Sequence, residues 1–115
     1  MELKEGMYVR TEKGKIDKII GFDGALILFL YDLVYGYIDE NDIVKASNNI
    51  IDLIEVGDYV NGAKVLEIEK DYKFIDGTIR DILWTDTKRN NAIWDENIKS
   101  IVTKEQFSSM EYKVN

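Results

Sequence analysis

The segment from Asn49 to Gly62 decides the fold and reads Asn-Ile-Ile-Asp-Leu-Ile-Glu-Val-Gly-Asp-Tyr-Val-Asn-Gly. Its second part, Ile54-Glu-Val-Gly-Asp-Tyr-Val60, follows the same pattern as Leu3-Lys-Glu-Gly-Met-Tyr-Val9 near the start of the chain. Both stretches place a glycine two residues before a Tyr-Val pair. Self-similarity of this kind predicts that one small β unit ends at this segment and that a second unit of the same pattern begins there.

The chain length of 115 residues suits one domain, or two very small ones that share a core. Two units of about 50 residues would each be only marginally stable alone, so we expect them to pack against each other. The predicted boundaries are 1–47 for the first unit, 48–56 for a connecting segment and 57–115 for the second unit. Hydrophobic residues make up 45% of the chain, which is enough for a packed core.

In the first half, short runs of strand formers alternate with turn residues. Asp23-Gly24, placed between two apolar runs, indicates a tight hairpin. The run from Ala25 to Tyr31 is apolar without alternation, so we expect a central strand that is covered on both faces where the two halves meet. An imperfect alternation between Ile16 and Ile19 suggests a bulge in the preceding strand.

In the second half, Asn61-Gly62 is the strongest two-residue hairpin signal of the chain, because strand residues flank it on both sides. Asp71 to Gly77 has the composition of a loop or of the end of a long hairpin. Thr103-Lys-Glu-Gln106 matches a capping box. It predicts a short helix from Lys104 to Met110, and Tyr112 and Val114 are expected to add a last extended segment.

Each half therefore has the order of a Tyr-Val strand, a tight turn, a long strand and two further strands, with a polar triplet before a final Ile-Val strand. Five short strands in about 50 residues, with a one-turn helix before the last, resemble the small Src-homology-3-like (SH3-like) barrel. The predicted fold is mainly β, with two tandem SH3-like small β-barrel units packed together and a short C-terminal helix. The alternative is another mainly β fold.

A second resemblance concerns the origin of the chain. The run from Asn49 to Gly62, together with 98–107 and 110–114, is similar to small uncharacterised proteins of phages and prophages of low-GC Gram-positive bacteria. The abundance of Ile, Lys, Asn and Asp and the lack of Pro suit an AT-rich genome. The resemblance implies a phage protein in the host cytoplasm, and it implies no activity and no site residues.

Composition excludes several classes of function. The net charge of −7 repels phosphate backbones, so direct nucleic-acid binding is disfavoured. The lack of Cys and His removes thiol chemistry, the commonest metal ligand and the usual general base. The N-terminus lacks the features of a signal peptide, and the longest apolar run is too short to span a membrane. We expect no enzyme, no cofactor and no membrane partner.

Two Asp-Glu-Asn triplets, at 39–41 and 95–97, are the only repeated polar cluster. Carboxylate oxygens are the ligands that Mg²⁺ and Ca²⁺ prefer, so one interpretation is a cation site. The other is a turn, in which Asp or Asn caps free backbone N–H groups. Because the triplets recur at one position of the repeat, we expect turns rather than a metal site.

The aromatic residues offer a candidate contact surface. Tyr35 and Tyr37 share one face of a strand, and Trp84 and Trp94 lie on separate strands around a polar loop that contains Arg89. Aromatic residues and Arg are enriched in binding hot spots, although large aromatics also fill cores. The predicted partner-binding residues are Tyr35, Tyr37, Asp39, Glu40, Trp84, Arg89, Trp94, Asp95 and Glu96.

The leading hypothesis is a phage-encoded, non-enzymatic binding protein that inhibits a host protein. Its most concrete form is an anti-CRISPR-type inhibitor, because the nucleic-acid channel of such a defence complex is basic and attracts an acidic protein. One alternative is a nucleic-acid-binding accessory factor of phage replication or transcription. It would use a basic patch of Lys88, Arg89, Lys99 and Lys104. Another is a sponge that captures a small nucleotide between the halves. No pattern indicates an oligomeric state.

Overall fold

The computed structural model describes residues 2–24, 26–31, 34–87 and 91–110, with the backbone alone at positions 30, 31, 34 and 35. The described residues form a mainly β fold with one short C-terminal helix, as predicted. The strands are β1 Tyr8–Thr11, β2 Ile16–Lys18, β3 Gly21–Asp23, β4 Leu26–Tyr31, β5 Val34–Asp39, β6 Ile43–Ser47, β7 Tyr59–Val60, β8 Ala63–Lys73, β9 Ile79–Thr85, β10 Ala92–Ile93 and β11 Ile101–Val102. The helices are α1 Lys104–Met110 and three 3-10 helices, Glu40–Asp42, Ile50–Leu53 and Asp95–Asn97. None of the described helices is both long enough and apolar enough to cross a membrane.

The chain divides into two compact units, Met1–Leu53 and Ile54–Asn115. This division lies inside the predicted connecting segment 48–56. The predicted boundaries themselves, and the predicted packing of one unit on the other, stay predictions.

In the first unit, β1 pairs antiparallel with both β2 and β6, and β4 pairs antiparallel with both β3 and β5. Only Ile19 and Ile20 separate β2 from β3. The Ile19 N–H donates to the Met7 carbonyl at 2.8 Å, and the Ile20 N–H donates to the Leu28 carbonyl at 2.9 Å. The pairing of β1 with Ile16 to Lys18 is regular, so the bulge predicted between Ile16 and Ile19 is wrong; instead the chain changes its pairing partner at Ile19 and Ile20.

The core of the first unit contains the fully buried side chains of Val9, Ile19, Ile27 and Phe29. Ile27 and Phe29 lie on the same face of β4, because side chains two residues apart on a strand share a face. Leu26, on the opposite face, is 42% exposed. The prediction that β4 is covered on both faces is therefore wrong at Leu26.

In the second unit, the strands form one sheet in the order β10-β9-β8-β7-β11. The long strand β8 pairs with β7 at its start and with β9 over the rest of its length. In the first unit β2 and β3 correspond to β8, because β2 pairs with the first strand β1 and β3 pairs with the next strand β4. The last strand β11 pairs back with β7, as β6 pairs with β1. A 3-10 helix precedes the last strand in both units. The two units therefore have the same strand order.

The repeated glycines occupy the same turn in each unit. The Met7 N–H donates to the Lys4 carbonyl at 3.2 Å, and the Asp58 N–H donates to the Glu55 carbonyl at 3.1 Å. Gly6 and Gly57, each next to last in its turn, have φ values of +91° and +99°. Residues with a side chain rarely adopt this backbone conformation, which explains why glycine recurs here.

Three local predictions are confirmed. Asn61 and Gly62 have φ values of +52° and +81°, as a type I′ hairpin requires. Asp23 pairs with Leu26, so the chain reverses there in a tight hairpin. The capping box is complete, because the Gln106 N–H donates to Thr103 Oγ1 at 3.3 Å and the Thr103 N–H donates to Gln106 Oε1 at 3.2 Å.

The pairing of the described strands gives open sheets in both units. Closure into a barrel would require the edge strands of a unit to pair with each other. The mainly β class of the fold is thus established, whereas the pair of SH3-like barrels stays a prediction. The residues Tyr112 and Val114, expected in a last extended segment, lie outside the described residues.

Candidate functional site

Each unit contains a cleft beside the hairpin that follows its first strand. The first cleft has a volume of about 420 Å³ and is lined by Thr11, Glu12, Lys13, Lys15, Gly36, Tyr37, Ile38 and Asp42. The second cleft has a volume of about 680 Å³ and is lined by Asn61, Ala63, Thr87, Asn91, Ala92, Ile93, Trp94 and Asn97.

The two clefts lie at equivalent positions of the repeated strand order. Each is bounded by the first hairpin of its unit and by the strand that leads into the 3-10 helix. In both units the carbonyl of the last residue of that helix accepts a hydrogen bond from the hairpin. The Glu12 N–H donates to Asp42 O at 2.9 Å, and Asn61 Nδ2 donates to Asn97 O at 2.7 Å. A contact at the equivalent position therefore forms one wall of each cleft, through a backbone N–H in the first unit and a side-chain amide in the second.

The chemistry of the two clefts differs. The first cleft carries two acidic and two basic side chains around Tyr37, which is 52% exposed. The side chains lining the second cleft carry no formal charge, and they include three asparagines and Trp94. A neutral lining of amides and an indole suits the uncharged polar groups of a protein surface, because no charge has to be desolvated when a partner binds.

Asn61 holds one wall of the second cleft in place. Its side-chain oxygen accepts hydrogen bonds from the backbone N–H groups of Lys99 at 2.8 Å and of Ser100 at 3.1 Å. Its side-chain nitrogen donates to Asn97 O, so a single carboxamide connects the hairpin to the segment before β11. The geometry of this wall is thus set by hydrogen bonds within the unit.

Three rings form a continuous row beside the second cleft, called here the aromatic row and consisting of Tyr72, Phe74 and Trp94. The rings of Tyr72 and Phe74 meet edge to face at 5.0 Å, and those of Phe74 and Trp94 meet edge to face at 5.6 Å. Edge-to-face packing is a preferred geometry for aromatic pairs. Tyr72 is 40% exposed, and Trp94 belongs to both the row and the cleft. The row and the cleft therefore form one surface.

An exposed ion pair lies next to the aromatic row. Arg80 stands directly opposite Tyr72 in the β8–β9 register, and its Nη1 atom contacts Glu96 Oε1. The hydrogen bond from Arg80 lowers the pKa of the Glu96 carboxyl group below its usual value. This pair connects β9 to the 3-10 helix that begins immediately after Trp94.

The other tryptophan has a different environment. Trp84 lies on β9, and its Nε1 atom donates to Glu69 Oε2 at 3.0 Å. Both Trp84 and Trp94 are half-buried, and neither is among the fully buried residues of the unit. The interpretation that both indoles simply fill the second core is therefore only partly correct.

The nine residues predicted to bind a partner divide between the two units. Tyr37 lines the first cleft, Trp94 lines the second, and Glu96 pairs with Arg80. Glu40 and Asp95 are exposed residues of the 3-10 helices of their units. Asp39 is the N-cap of the first 3-10 helix, and Trp84 donates a hydrogen bond to Glu69. Arg89 and the side chain of Tyr35 lie outside the described residues.

The two Asp-Glu-Asn triplets do not occupy one position of the repeat, contrary to expectation. Asp39 is the N-cap of the first 3-10 helix and accepts a hydrogen bond from the Asn41 N–H at 2.9 Å. Asp95 is instead the first residue of its helix, and Trp94 stands at the N-cap. The turn interpretation is thus correct for Asp39. Among the described residues, no group of three or more acidic side chains is arranged to hold a metal ion.

Sequence reasoning missed Tyr72, Phe74 and Arg80. Both aromatics fall in the segment predicted to be a loop or the end of a long hairpin, and the second alternative is correct, because β8 continues to Lys73 and pairs with β9 up to Ile79. The Tyr-x-Phe spacing was the available signal, because residues two apart on a strand share a face. Their contact with Trp94 depends on tertiary packing, for which the local sequence contains no signal.

The predicted basic patch is only partly described. Lys88 and Arg89 lie outside the described residues, and Lys99 is exposed. Lys104 Nζ lies 2.7 Å from Glu55 Oε1, and the hydrogen bond to Glu55 raises the pKa of Lys104 above its usual value. The positive charge of Lys104 is thus matched by a carboxylate of the same unit.

Comparisons with protein-family models, with curated proteins and with solved structures find no match for this chain.

Proposed function

We propose that this chain is a phage-encoded, non-enzymatic binding protein that inhibits a host protein by occupying it in the host cytoplasm. Its contact surface is the aromatic row together with the second cleft. The observation that carries this proposal is the continuity of Tyr72, Phe74 and Trp94 with a neutral cleft of about 680 Å³. Partly exposed aromatic residues around a pocket are the composition typical of binding hot spots.

The packing of the row supports a role in binding. Edge-to-face contacts restrain Tyr72, Phe74 and Trp94 before any partner arrives, so little side-chain entropy is lost on association. Arg80, adjacent to the row, adds a planar cation, and Arg is enriched in hot spots together with Tyr and Trp. These features favour a protein partner over a small ligand.

The strand order supports two SH3-like units as the scaffold. After the short first strand come β2 and β3 in the first unit and the long strand β8 in the second, and in both units the last strand returns to pair with the first after a 3-10 helix. In this arrangement the first hairpin and the 3-10 helix lie side by side, and the clefts form between them. The proposed scaffold thus places one potential binding site in each unit.

The net charge favours a basic partner. With a formal charge of −7, the chain is attracted to positively charged surfaces such as the nucleic-acid channel of an antiviral defence complex. A CRISPR effector holds its guide and target strands in a channel of this kind. The most specific form of the proposal is therefore an anti-defence inhibitor that competes with nucleic acid.

Affinity capture tests the proposal. The tagged full-length chain is incubated with a nuclease-treated lysate of a low-GC Gram-positive host that carries a defence complex. One host protein is expected to be retained in stoichiometric amount and to lose its nucleic-acid binding when the chain is added. A Tyr72→Ala, Trp94→Ala double variant serves as the matched control, because it removes the contact surface without touching a fully buried residue.

Two results would contradict the proposal. One is retention of the same background proteins by the wild type and by the double variant. The other is tight binding of a short DNA duplex that weakens steeply with salt, which would favour the accessory-factor alternative.

A further inference from the structure

The β8–β9 hairpin continues beyond the strands that flank it. Within the described residues, the only part of β8 that β7 pairs with is its start, at Ala63 and Lys64, and the only part of β9 that β10 pairs with is Leu83 and Trp84 near its end. The residues from Lys70 to Arg80 therefore form a two-stranded extension, called here the hairpin arm. Such a ribbon is only marginally stable in isolation.

Contacts within the unit hold the hairpin arm in place. The Asp81 carboxylate accepts a hydrogen bond from the Asp71 N–H at 2.9 Å and lies 3.2 Å from Lys70 Nζ. At the far end of the arm, the ring of Phe74 packs against Trp94 of the same unit. The Asp81 carboxylate therefore joins the two strands at the base of the arm, and Phe74 attaches its turn to the rest of the unit.

The turn at the end of the arm is fixed by its own hydrogen bonds. The Phe74 N–H donates to Thr78 O at 2.8 Å, and the Gly77 N–H donates to Phe74 O at 2.9 Å, with Gly77 at a φ of +90°. Asp76 Oδ1 accepts from the N–H and the hydroxyl group of Thr78 at 3.0 and 2.7 Å. This turn presents its remaining residue, Ile75, on a preorganised backbone.

Ile75 is fully exposed, at 108% of its reference area, and nothing in the turn requires an apolar residue there. Turns favour Gly, Asn, Asp, Ser and Pro. Ile79 and Tyr72, which are 61% and 40% exposed, stand opposite Lys73 and Arg80, so they lie on different faces of the arm. Apolar surface therefore covers the tip and continues down both faces.

The charge of the arm distinguishes it from the rest of the chain. The arm from Lys70 to Arg80 contains three basic residues (Lys70, Lys73, Arg80) and two acidic residues (Asp71, Asp76), so its formal charge is +1, and the neighbouring Asp81, which pairs with Lys70, balances that charge. The chain as a whole carries −7. The only charge in the turn at the tip is the Asp76 carboxylate, which an anionic membrane repels, whereas the apolar side chains of Ile75 and Ile79 can enter a protein pocket without burying an unpaired charge.

The exposed area argues against a second copy as the occupant. The exposed fractions of Ile75, Ile79 and Tyr72 amount to about two whole side chains. At about 200 Å² for each large side chain, two copies would bury about 800 Å², below the roughly 1,200 Å² of a stable interface. A convex tip with apolar residues on both faces is enclosed more completely by a concave pocket.

We propose that the hairpin arm extends the contact surface beyond Tyr72 as a second anchor, which inserts Ile75 with Ile79 into a concave apolar pocket of the partner protein. This inference rests on the proposed function, because it names a further contact of the same binding protein. Burying Ile75 completely is expected to strengthen binding about tenfold or more.

The test combines photo-crosslinking with two matched variants of the full-length chain. A photoreactive amino acid replaces Ile75 in one preparation and Val44 in another, because Val44 is also exposed but lies on β6 of the first unit. Both are irradiated in the nuclease-treated host lysate used for affinity capture. Ile75→Asp and Val44→Asp are compared in the capture itself, and exposed positions of this kind tolerate substitution without unfolding.

The expected result is an adduct with the captured host protein at position 75 and none at position 44, with Ile75→Asp lowering the retained amount about tenfold and Val44→Asp leaving it unchanged. Undiminished capture by Ile75→Asp without an adduct at position 75 overturns the anchor and leaves the proposed function intact. An adduct of two copies of this chain, or flotation with phosphatidylglycerol vesicles that Ile75→Asp abolishes, also overturns it. Retention of no host protein by any form overturns both proposals.

Discussion

The units Met1–Leu53 and Ile54–Asn115 share a strand order but are completed in different ways after their last strands. In the first unit a 3-10 helix follows, and its last carbonyl, Leu53 O, accepts a hydrogen bond at 3.0 Å from the buried side chain of Arg10. In the second unit α1 follows, and its first N–H, from Lys104, donates at 2.9 Å to the buried carboxylate of Asp58. A buried side chain thus binds the last helix of each unit: Arg10 donates to a backbone carbonyl in the first unit, and Asp58 accepts from a backbone N–H in the second.

One position of the repeated turn shows how this difference arises. The fourth residue of the turn is Met7 in the first unit and Asp58 in the second. Met7 Sδ accepts from the Lys4 N–H at 3.2 Å, whereas Asp58 Oδ2 accepts from the Glu55 N–H at 2.7 Å and still has Oδ1 available for α1. The backbone turn is therefore the same in both units, whereas the side chains at its fourth position make different contacts.

The largest expected effect comes from the core of the first unit. Phe29 is fully buried, so Phe29→Ala should lower the stability of this unit by about 3–5 kcal/mol. Hydrogen exchange at the amides of Val9 and Ile27, read out by NMR, measures the effect within the unit. Phe22→Ala, at a residue that is 47% exposed on β3, is the control and should change stability by less than about 0.5 kcal/mol. Equal effects of the two substitutions would contradict the assignment of the core.

The next largest effect on stability is expected at the fourth residue of the repeated turn, where the two units carry different residues. Asp58→Leu removes the acceptor of two N–H groups and should cost the second unit about 2–4 kcal/mol. Met7→Leu introduces the same residue into the first unit and should cost less than about 1.5 kcal/mol. Trp fluorescence in urea follows the second unit selectively, since both tryptophans lie there. A small effect of Asp58→Leu would show that the carboxylate does not hold α1.

A smaller effect is expected at the capping box of α1. Thr103→Ala removes the acceptor of the Gln106 N–H and should destabilise the second unit by about 0.5–2 kcal/mol. Urea unfolding followed by Trp fluorescence measures the loss. Ser108→Ala, at an exposed position of α1, should be neutral, and equal losses in the two variants would argue against the cap.

The smallest effect is the pH dependence of the Arg80–Glu96 pair. Because the folded pKa of Glu96 lies below its unfolded value, the stabilisation from this pair is present above the unfolded pKa and is lost as the pH falls through the folded pKa. An NMR titration of the Glu96 side chain should show a midpoint below the usual glutamate range. Arg80→Gln should move that midpoint up towards the usual range, and an unchanged midpoint would refute the pairing.

Local signals in the sequence were sufficient for the turns and the helix. Gly6 and Gly57 require a positive φ, Asn61-Gly62 encodes a type I′ hairpin, and Thr103 caps a helix with the predicted bounds. Each of these signals lies within a few consecutive residues, where backbone sterics and nearby hydrogen bonds decide the conformation.

Features that depend on packing across strands were not predictable in the same way. The aromatic row requires Phe74 to meet Trp94, twenty positions away along the chain, and no local pattern indicates that contact. The exposure of Leu26 depends on which face of β4 the other strands cover. The two Asp-Glu-Asn triplets have the same sequence, but the 3-10 helix begins at the second residue of the first triplet and at the first residue of the second triplet.

The most direct test of the binding surface compares the two clefts in one experiment. Tyr37 in the first cleft and Trp94 in the second are each replaced by Ala, and the affinity of each variant for the captured host protein is measured by calorimetry. Trp94→Ala should weaken binding about thirtyfold, as expected for a hot-spot residue, whereas Tyr37→Ala should change it less than about threefold. The reverse order, with Tyr37→Ala abolishing binding and Trp94→Ala leaving it intact, would place the contact surface in the first unit.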